Sequence, residues 1–150
     1  MKIEEEIHQK KFTSEYQKMM INILFTSKWL EYKNACLLKN YGISTQQYNI
    51  LRILRGQYPN CASIRTLQEK MLDKMSNASR LVEKLRLKGL VERIDDDKDR
   101  RLVRVTIKDK GLDMLKIIDN DISEHEKDLK NLTIEEAKLL NDLLDKLRSK

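Results

Sequence analysis

Asn77, Ser79, Arg80 and Lys84 lie within eight residues of one another, on a stretch whose apolar positions recur at helical spacing. Each side-chain type has a use against a polyanion. A guanidinium forks onto guanine O6 and N7, a carboxamide matches adenine N6 and N7, and hydroxyls and ammonium groups take either base edges or phosphates. At 100° per residue, Ala78, Leu81, Val82 and Leu85 share one face of the helix. The opposite face centres on Ser76, Arg80, Glu83 and Leu87, with Asn77, Ser79 and Lys84 flanking it. Glu83 has two readings there, as an acceptor for cytosine or as the carboxylate that orients Arg80. Leu87 does not suit base contact and is expected to pack near the hairpin that comes next in the chain.

The helix stops at Gly89, and two strand-like runs lie beyond it, Leu90 to Ile94 and Arg101 to Ile107. The second alternates, with Val103, Val105 and Ile107 on one side and Leu102, Arg104 and Thr106 on the other. Between them runs Asp95-Asp96-Asp97-Lys98-Asp99-Arg100-Arg101. The aspartates suit turning the chain and supporting arginines through ion pairs, and Arg100 and Arg101 suit the strong negative potential of a narrow minor groove. Taken alone, the helix also reads as an ordinary amphipathic surface and the loop as a solvated turn. A basic helix feeding directly into a basic hairpin favours the nucleic-acid reading of both.

Other elements must position this pair. Ser63 caps a short helix with Ile64, Leu67 and Met71 pointing inward, and Arg65 stands at its start. Ser63 and Arg65 therefore join the candidate DNA contacts. The turn from Leu72 to Met75 then completes a helix-turn-helix, without the glycine such turns often carry. Upstream, Ser44 and Gln47 form a capping-box pattern opening a helix with Tyr48, Leu51 and Leu54 at helical spacing, and Gly56 fits its stop.

The flanks are helical. Residues 5–38 contain neither proline nor glycine and are predicted to form one long helix, broken at Tyr41-Gly42. Met19, Met20, Ile21, Ile23, Leu24, Phe25, Trp29 and Leu30 cover more than one of its faces, which requires contact on several sides. Beyond Asp109, the residues Leu112, Leu115, Ile118, Ile122 and Leu129 form a stripe, with His125 at its edge and Ile117 apart. Thr133 and Glu136 open a last helix with Leu139, Leu140, Leu143, Leu144 and Leu147 on one face. Terminal helices of this kind can pair across a two-fold axis and present two copies of the middle, spaced to read a palindrome.

Composition narrows the classes. The chain has 150 residues and a net charge of +6, with a pI near 9.2, which favours an anionic partner, although a lysine-rich soluble surface has the same charge. Cys36 and Cys61 show no CxxC spacing, so neither a disulfide framework nor a zinc site is expected, and Cys36 reads as an inert structural thiol. No apolar run approaches the ~20 residues of a membrane span, and the N-terminus is not a secretory signal, so a cytoplasmic location is expected. Catalysis has little to stand on. There are two histidines, no glycine-rich phosphate loop and no nucleophile motif, and His125-Glu126 lacks a second histidine at metal-binding spacing. No cofactor or metal is implied.

Residues 77–85 (Asn-Ala-Ser-Arg-Leu-Val-Glu-Lys-Leu), followed by Lys88-Gly89-Leu90-Val91-Glu92-Arg93 and by Asp99-Arg100-Arg101, resemble the recognition helix and wing of the MarR family of bacterial transcription regulators. The resemblance covers about Tyr41 to Gly111 in motif and the flanking helices in layout. It implies a mainly α fold with a small β-hairpin wing, a winged helix-turn-helix with N- and C-terminal dimerisation helices. The expected organisation is one domain over 1–150, with the DNA-binding part at about 41–108 and helical dimerisation parts at 1–38 and 109–150. By resemblance, Arg101 enters the minor groove with Asp99 as its support, while Ser76, Asn77, Ser79, Arg80 and Lys84 face the major groove or its phosphates. The implied partners are double-stranded DNA, a second copy of the chain and a small phenolic or lipophilic effector, with Trp29, Met71 and Met75 as candidate effector contacts. The expected function is a homodimeric repressor on a palindromic operator. The alternative is a winged-helix interaction module whose basic face binds an acidic protein. The threonine usual after the second strand is Lys108 here, so Asp109 is expected to cap the next helix. Met20 or Ile21 stands near the position where oxidation-sensing members carry cysteine, which removes the main support for redox control.

Overall fold

The computed structural model describes residues 2–95, 103–125 and 131–149. The elements are α1 (Ile3–Glu6), α2 (Glu15–Lys39), α3 (Thr45–Gln57), β1 (Ala62–Ser63), α4 (Ile64–Lys70), α5 (Ala78–Leu87), β2 (Val91–Asp95), β3 (Val103–Ile107), α6 (Asp109–His125) and α7 (Ile134–Arg148). The three strands form an antiparallel sheet in the order β1-β3-β2. This is a mainly helical winged helix-turn-helix, as the pattern of periodicities predicts. The chain divides into two compact units, Met1–Leu112 and Asp113–Lys150.

The single long helix expected over 5–38 is two helices. The break is local chemistry. The Ser14 hydroxyl accepts from the Gln17 amide at 3.1 Å, and the Gln17 side-chain oxygen accepts from the Thr13 amide at 2.7 Å. These bonds satisfy donors that a continuing helix would have used, so α2 starts at Glu15. At its other end Leu37 and Leu38 are buried, while Met20, Leu24 and Tyr32 are among the apolar side chains left exposed. Cys36 is also exposed, as is Cys61, so Cys36 is no buried structural thiol. A hydrogen bond with Cys36 raises the Tyr32 phenol above its ordinary pKa.

The Ser44–Gln47 capping box opens α3 as predicted. Gly56 lies within that helix, which ends one residue later at Gln57, so it is not the stop. Ile50, Leu51 and Leu54 of α3 are buried with Leu67 and Met71 from the α4 region and Ala78, Val82 and Leu85 of α5. Ala62 pairs with Val105 and Ser63 with Arg104. That two-residue strand, too short to show any period, was not legible in the sequence.

The helix-to-wing junction is built from backbone geometry. Gly89 has φ +71°, and its amide donates to the Arg86 carbonyl at 2.8 Å while the Leu90 amide donates to Leu85 at 3.1 Å. That bonding pattern requires a left-handed residue after the cap, which glycine adopts without a Cβ penalty. Leu90 and Val91 are then buried, and β2 pairs with β3 in the register Val91 with Ile107 through Asp95 with Val103. Val105 and Ile107 are buried and Arg104 is exposed, which confirms the predicted alternation. The Lys88 ammonium donates to the Gly42 carbonyl, and the Lys110 ammonium donates to the Lys88 carbonyl at 3.0 Å. The end of α5 is thereby tied to the α2–α3 corner and to the start of α6.

Asp109 is the first residue of α6 and not its cap, since the Lys108 carbonyl accepts from Gly111 and Leu112. A carboxylate in the first turn still suits the positive end of the helix dipole. In the second unit, Leu115 and Ile118 are buried, and Ile117 is exposed on another side. The last member of the predicted stripe, Leu129, lies outside the described residues. The Thr133–Glu136 capping box starts α7, whose Leu139, Leu140, Leu143 and Leu147 are all exposed. Among the described residues, no helix is long and apolar enough to cross a membrane.

Candidate nucleic-acid interface

Helix α5 presents the predicted polar face because its other face is pinned. Ala78, Val82 and Leu85 are buried at i, i+4 and i+7, with Leu81 half-buried beside them. Ser79, Arg80 and Lys84 are exposed in consequence. At about 1.5 Å per residue the ten-residue helix is roughly 15 Å long, comparable with the ~12 Å width of a B-DNA major groove.

Other residues named from the sequence have structural duties. Asn77 is the N-cap of α5, its side-chain oxygen accepting from the Arg80 amide at 3.0 Å. Ser76 precedes the helix and donates its hydroxyl to Asp73 Oδ2 at 2.6 Å. Ser63 caps α4, accepting from the Thr66 amide at 3.0 Å. Arg65 is exposed and paired with Glu69 at 2.9 Å, and that hydrogen bond raises its pKa further. Glu83 does not orient Arg80. Its two oxygens accept from Arg86, one turn further on, at 2.8 and 3.0 Å, and Arg86 holds the carboxyl below its ordinary pKa. Leu87, expected to pack near the wing, is 72% exposed. Asp99, Arg100 and Arg101 lie outside the described residues.

The turn between α4 and α5 shows why no glycine was needed. None of its residues has a positive φ, since His8, Gly42 and Gly89 are the positive-φ positions among the described residues. Side chains hold it instead. Gln68 of α4 accepts from the Ala78 amide at 3.2 Å and donates to the Lys74 carbonyl at 2.9 Å. Asn49 of α3 accepts from the Leu72 amide at 2.9 Å. Asp73 Oδ1 accepts from the Met75 amide at 3.0 Å, and the Ser76 hydroxyl is the main cause of its lowered pKa. The Asp73 turn could have been read from sequence, because a side chain bonding two residues on is a common turn device. The roles of Asn49 and Gln68 could not, because their partners are 23 and 10 residues away.

Gln68→Ala is expected to cost about 1–2 kcal/mol, since it removes the acceptor of an amide at the helix start. The loss should be local. Hydrogen exchange of the Ala78 amide should accelerate more than that of Leu85, and equal acceleration would count against the assignment.

The effector candidates sit in unlike surroundings. Met71 is buried, Met75 is 94% exposed, and Trp29 is partly exposed with the Lys33 ammonium 4.6 Å from its ring centroid.

Comparison with known proteins matches residues 41–102 to the MarR family model. The HTH-type transcriptional regulator PapX of Escherichia coli is 26% identical over 108 residues, a stretch covering 71% of this chain and 66% of PapX. The matched region thus spans just under two thirds of that relative's length. A MarR transcription factor from Planctomyces limnophilus superposes with a TM-score of 0.71 at 27% identity, over 90% of this chain and 98% of that one. A mutant MarR of E. coli complexed with operator DNA superposes with a TM-score of 0.76 at 22% identity, over 93% and 100% of the two chains. The residues matched, together with the winged helix built around them, make this chain similar to the MarR family over its middle part.

Proposed function

We propose that the chain is a sequence-specific double-stranded DNA-binding regulator of transcription, acting as a homodimer that represses by occupying a palindromic operator. The observation that carries this reading is α5, with its apolar face locked into the core and Ser79, Arg80 and Lys84 exposed opposite, running through Gly89 into an antiparallel hairpin. The operator complex of the E. coli protein, which shares the fold, supports it. In this proposal residues 41–108 read DNA, with Arg100, Arg101 and Asp99 at the wing, while 1–38 and 109–150 pair the subunits. Exposed apolar side chains on α2 and α7 suit that pairing. In this proposal Trp29, 38% exposed on α2, is a contact for a small phenolic or lipophilic effector.

Within the contact set the structure favours a division of labour. Asn77 and Ser63 cap helices, and engaging their oxygens with bases would cost about 1 kcal/mol each in lost caps. Arg80, Ser79 and Lys84 meet no such conflict.

Selection of bound sites from a random-sequence duplex library tests the proposal. A regulator should bind the selected site at least ~10³-fold more tightly than random duplex and lose affinity steeply with salt. A basic module meant for an acidic protein would show salt dependence without that gap, and this outcome would remove the regulator reading. On the selected site, Arg80→Ala should relax preference at particular base pairs by roughly 1–3 kcal/mol. An unchanged ranking of site variants would rule out base reading by Arg80.

A further inference from the structure

Met75 is the most exposed large apolar side chain among the described residues, at 94%, although it lies in a loop held by side-chain hydrogen bonds. It occupies the third position of the turn Asp73–Ser76, which closes with the Ser76 amide on the Asp73 carbonyl at 3.4 Å. The residue before it folds away, as the Lys74 ammonium donates to the Glu69 carbonyl at 2.5 Å at the end of α4. Met75 therefore stands at the tip of the turn, two residues ahead of the α5 cap. A flexible loop could tuck such a side chain against the protein. Here Gln68, Asn49 and Asp73 hold the backbone on both sides of it, and the side chain stands in solvent.

In helix-turn-helix readers the N-terminal end of the second helix is the end that meets base edges. An unbranched, polarisable side chain held there has a natural apolar target in the major groove, the C5-methyl group of thymine. We propose that Met75 is a specificity-determining residue that reads a thymine methyl at the edge of the site contacted by Ser79 and Arg80. This inference rests on the DNA-binding reading above. It accounts for an apolar side chain presented to solvent on a rigid turn, and it assigns Met75 to DNA instead of to an effector.

Replacing thymine by deoxyuridine deletes the methyl and leaves base pairing intact, so the contact can be tested by changing one group on each side. Each thymine of the selected site is replaced in turn, and affinity is measured for the wild-type chain and for Met75→Ala. The wild type should lose about fourfold at one symmetry-related thymine pair, the factor expected for withdrawing one methyl from apolar contact. Met75→Ala should bind the unmodified site about fourfold more weakly and show no further loss at that pair, while uridine effects elsewhere persist. Because Met75 is exposed, the variant should unfold at the wild-type temperature. Overturning results would be equal uridine effects in both proteins, or no uridine-sensitive position at all; either leaves the regulator reading standing. Failure to select any preferred site would instead remove that reading, and this inference with it.

Discussion

Gly111→Ala is expected to lower the folding stability of the chain by about 3 kcal/mol, whereas Gly56→Ala should be neutral or stabilising by a few tenths of a kcal/mol. Both glycines lie in helices, so intrinsic propensity favours alanine at both. The surroundings reverse the sign at one of them. A Cβ on Gly111 would stand 2.5 Å from the Leu90 carbonyl oxygen and 2.8 Å from Ile107 Cγ1, while nothing lies within 4 Å of one on Gly56. The Leu90 oxygen has little freedom to retreat, since it accepts from the Lys108 amide at 3.0 Å. Ile107 is equally constrained, being buried and paired with Val91 across the sheet. Admitting one methyl would push the Gly111 backbone away from Leu90 and Ile107, at the upper end of what overpacking costs. By thermal unfolding, Gly111→Ala should melt roughly 6–12 °C below the wild type. Equal melting temperatures for the two variants would mean that the close approach of Gly111 to Leu90 is absent in solution.

Leu140→Asp combined with Leu143→Asp should convert the proposed dimer to a monomer and weaken operator binding by about 10²–10⁴-fold. Leu139, Leu140, Leu143 and Leu147 are all exposed on α7, so carboxylates there disturb no buried contact within one subunit. Across a two-fold axis the same leucines would be desolvated against their copies, where uncompensated carboxylates are poorly tolerated. The large effect comes from linkage, because a dimer holds its second half-site contact at high effective concentration and a monomer does not. Sedimentation reads the mass and titration of a labelled duplex reads the affinity. A variant that stayed dimeric and bound normally would exclude α7 from the interface. A monomer with unchanged affinity would show instead that reading DNA does not depend on pairing.

These two predictions draw on different kinds of information. The exposed leucine face of α7 was visible as a spacing of apolar residues, because helical period is a local property of the chain. The same holds for the inward and outward faces of α5, the alternation of β3, and the capping boxes at Ser44 and Thr133. The break before α2 was legible too, as Ser14 followed by Gln17, but a run without glycine or proline masked it.

What local pattern could not supply was the partner of each polar group. Nothing in the spacing around Glu83 distinguishes Arg80 from Arg86, since both lie three residues away and only rotamer and surroundings choose between them. Asn77 carries an adenine reader's side chain but spends its oxygen on the cap. Gln68 and Asn49 accept from the Ala78 and Leu72 amides only because the fold brings those amides to them. The sequence by itself determined the inward and outward faces of α5, the alternation of β3 and the starts of α3 and α7, because those are set by side-chain period and by caps within a few residues. The tertiary structure alone decided what holds the recognition turn, why Gly111 must remain glycine and where Met75 points. Each of those depends on atoms that only folding brings within a few ångströms.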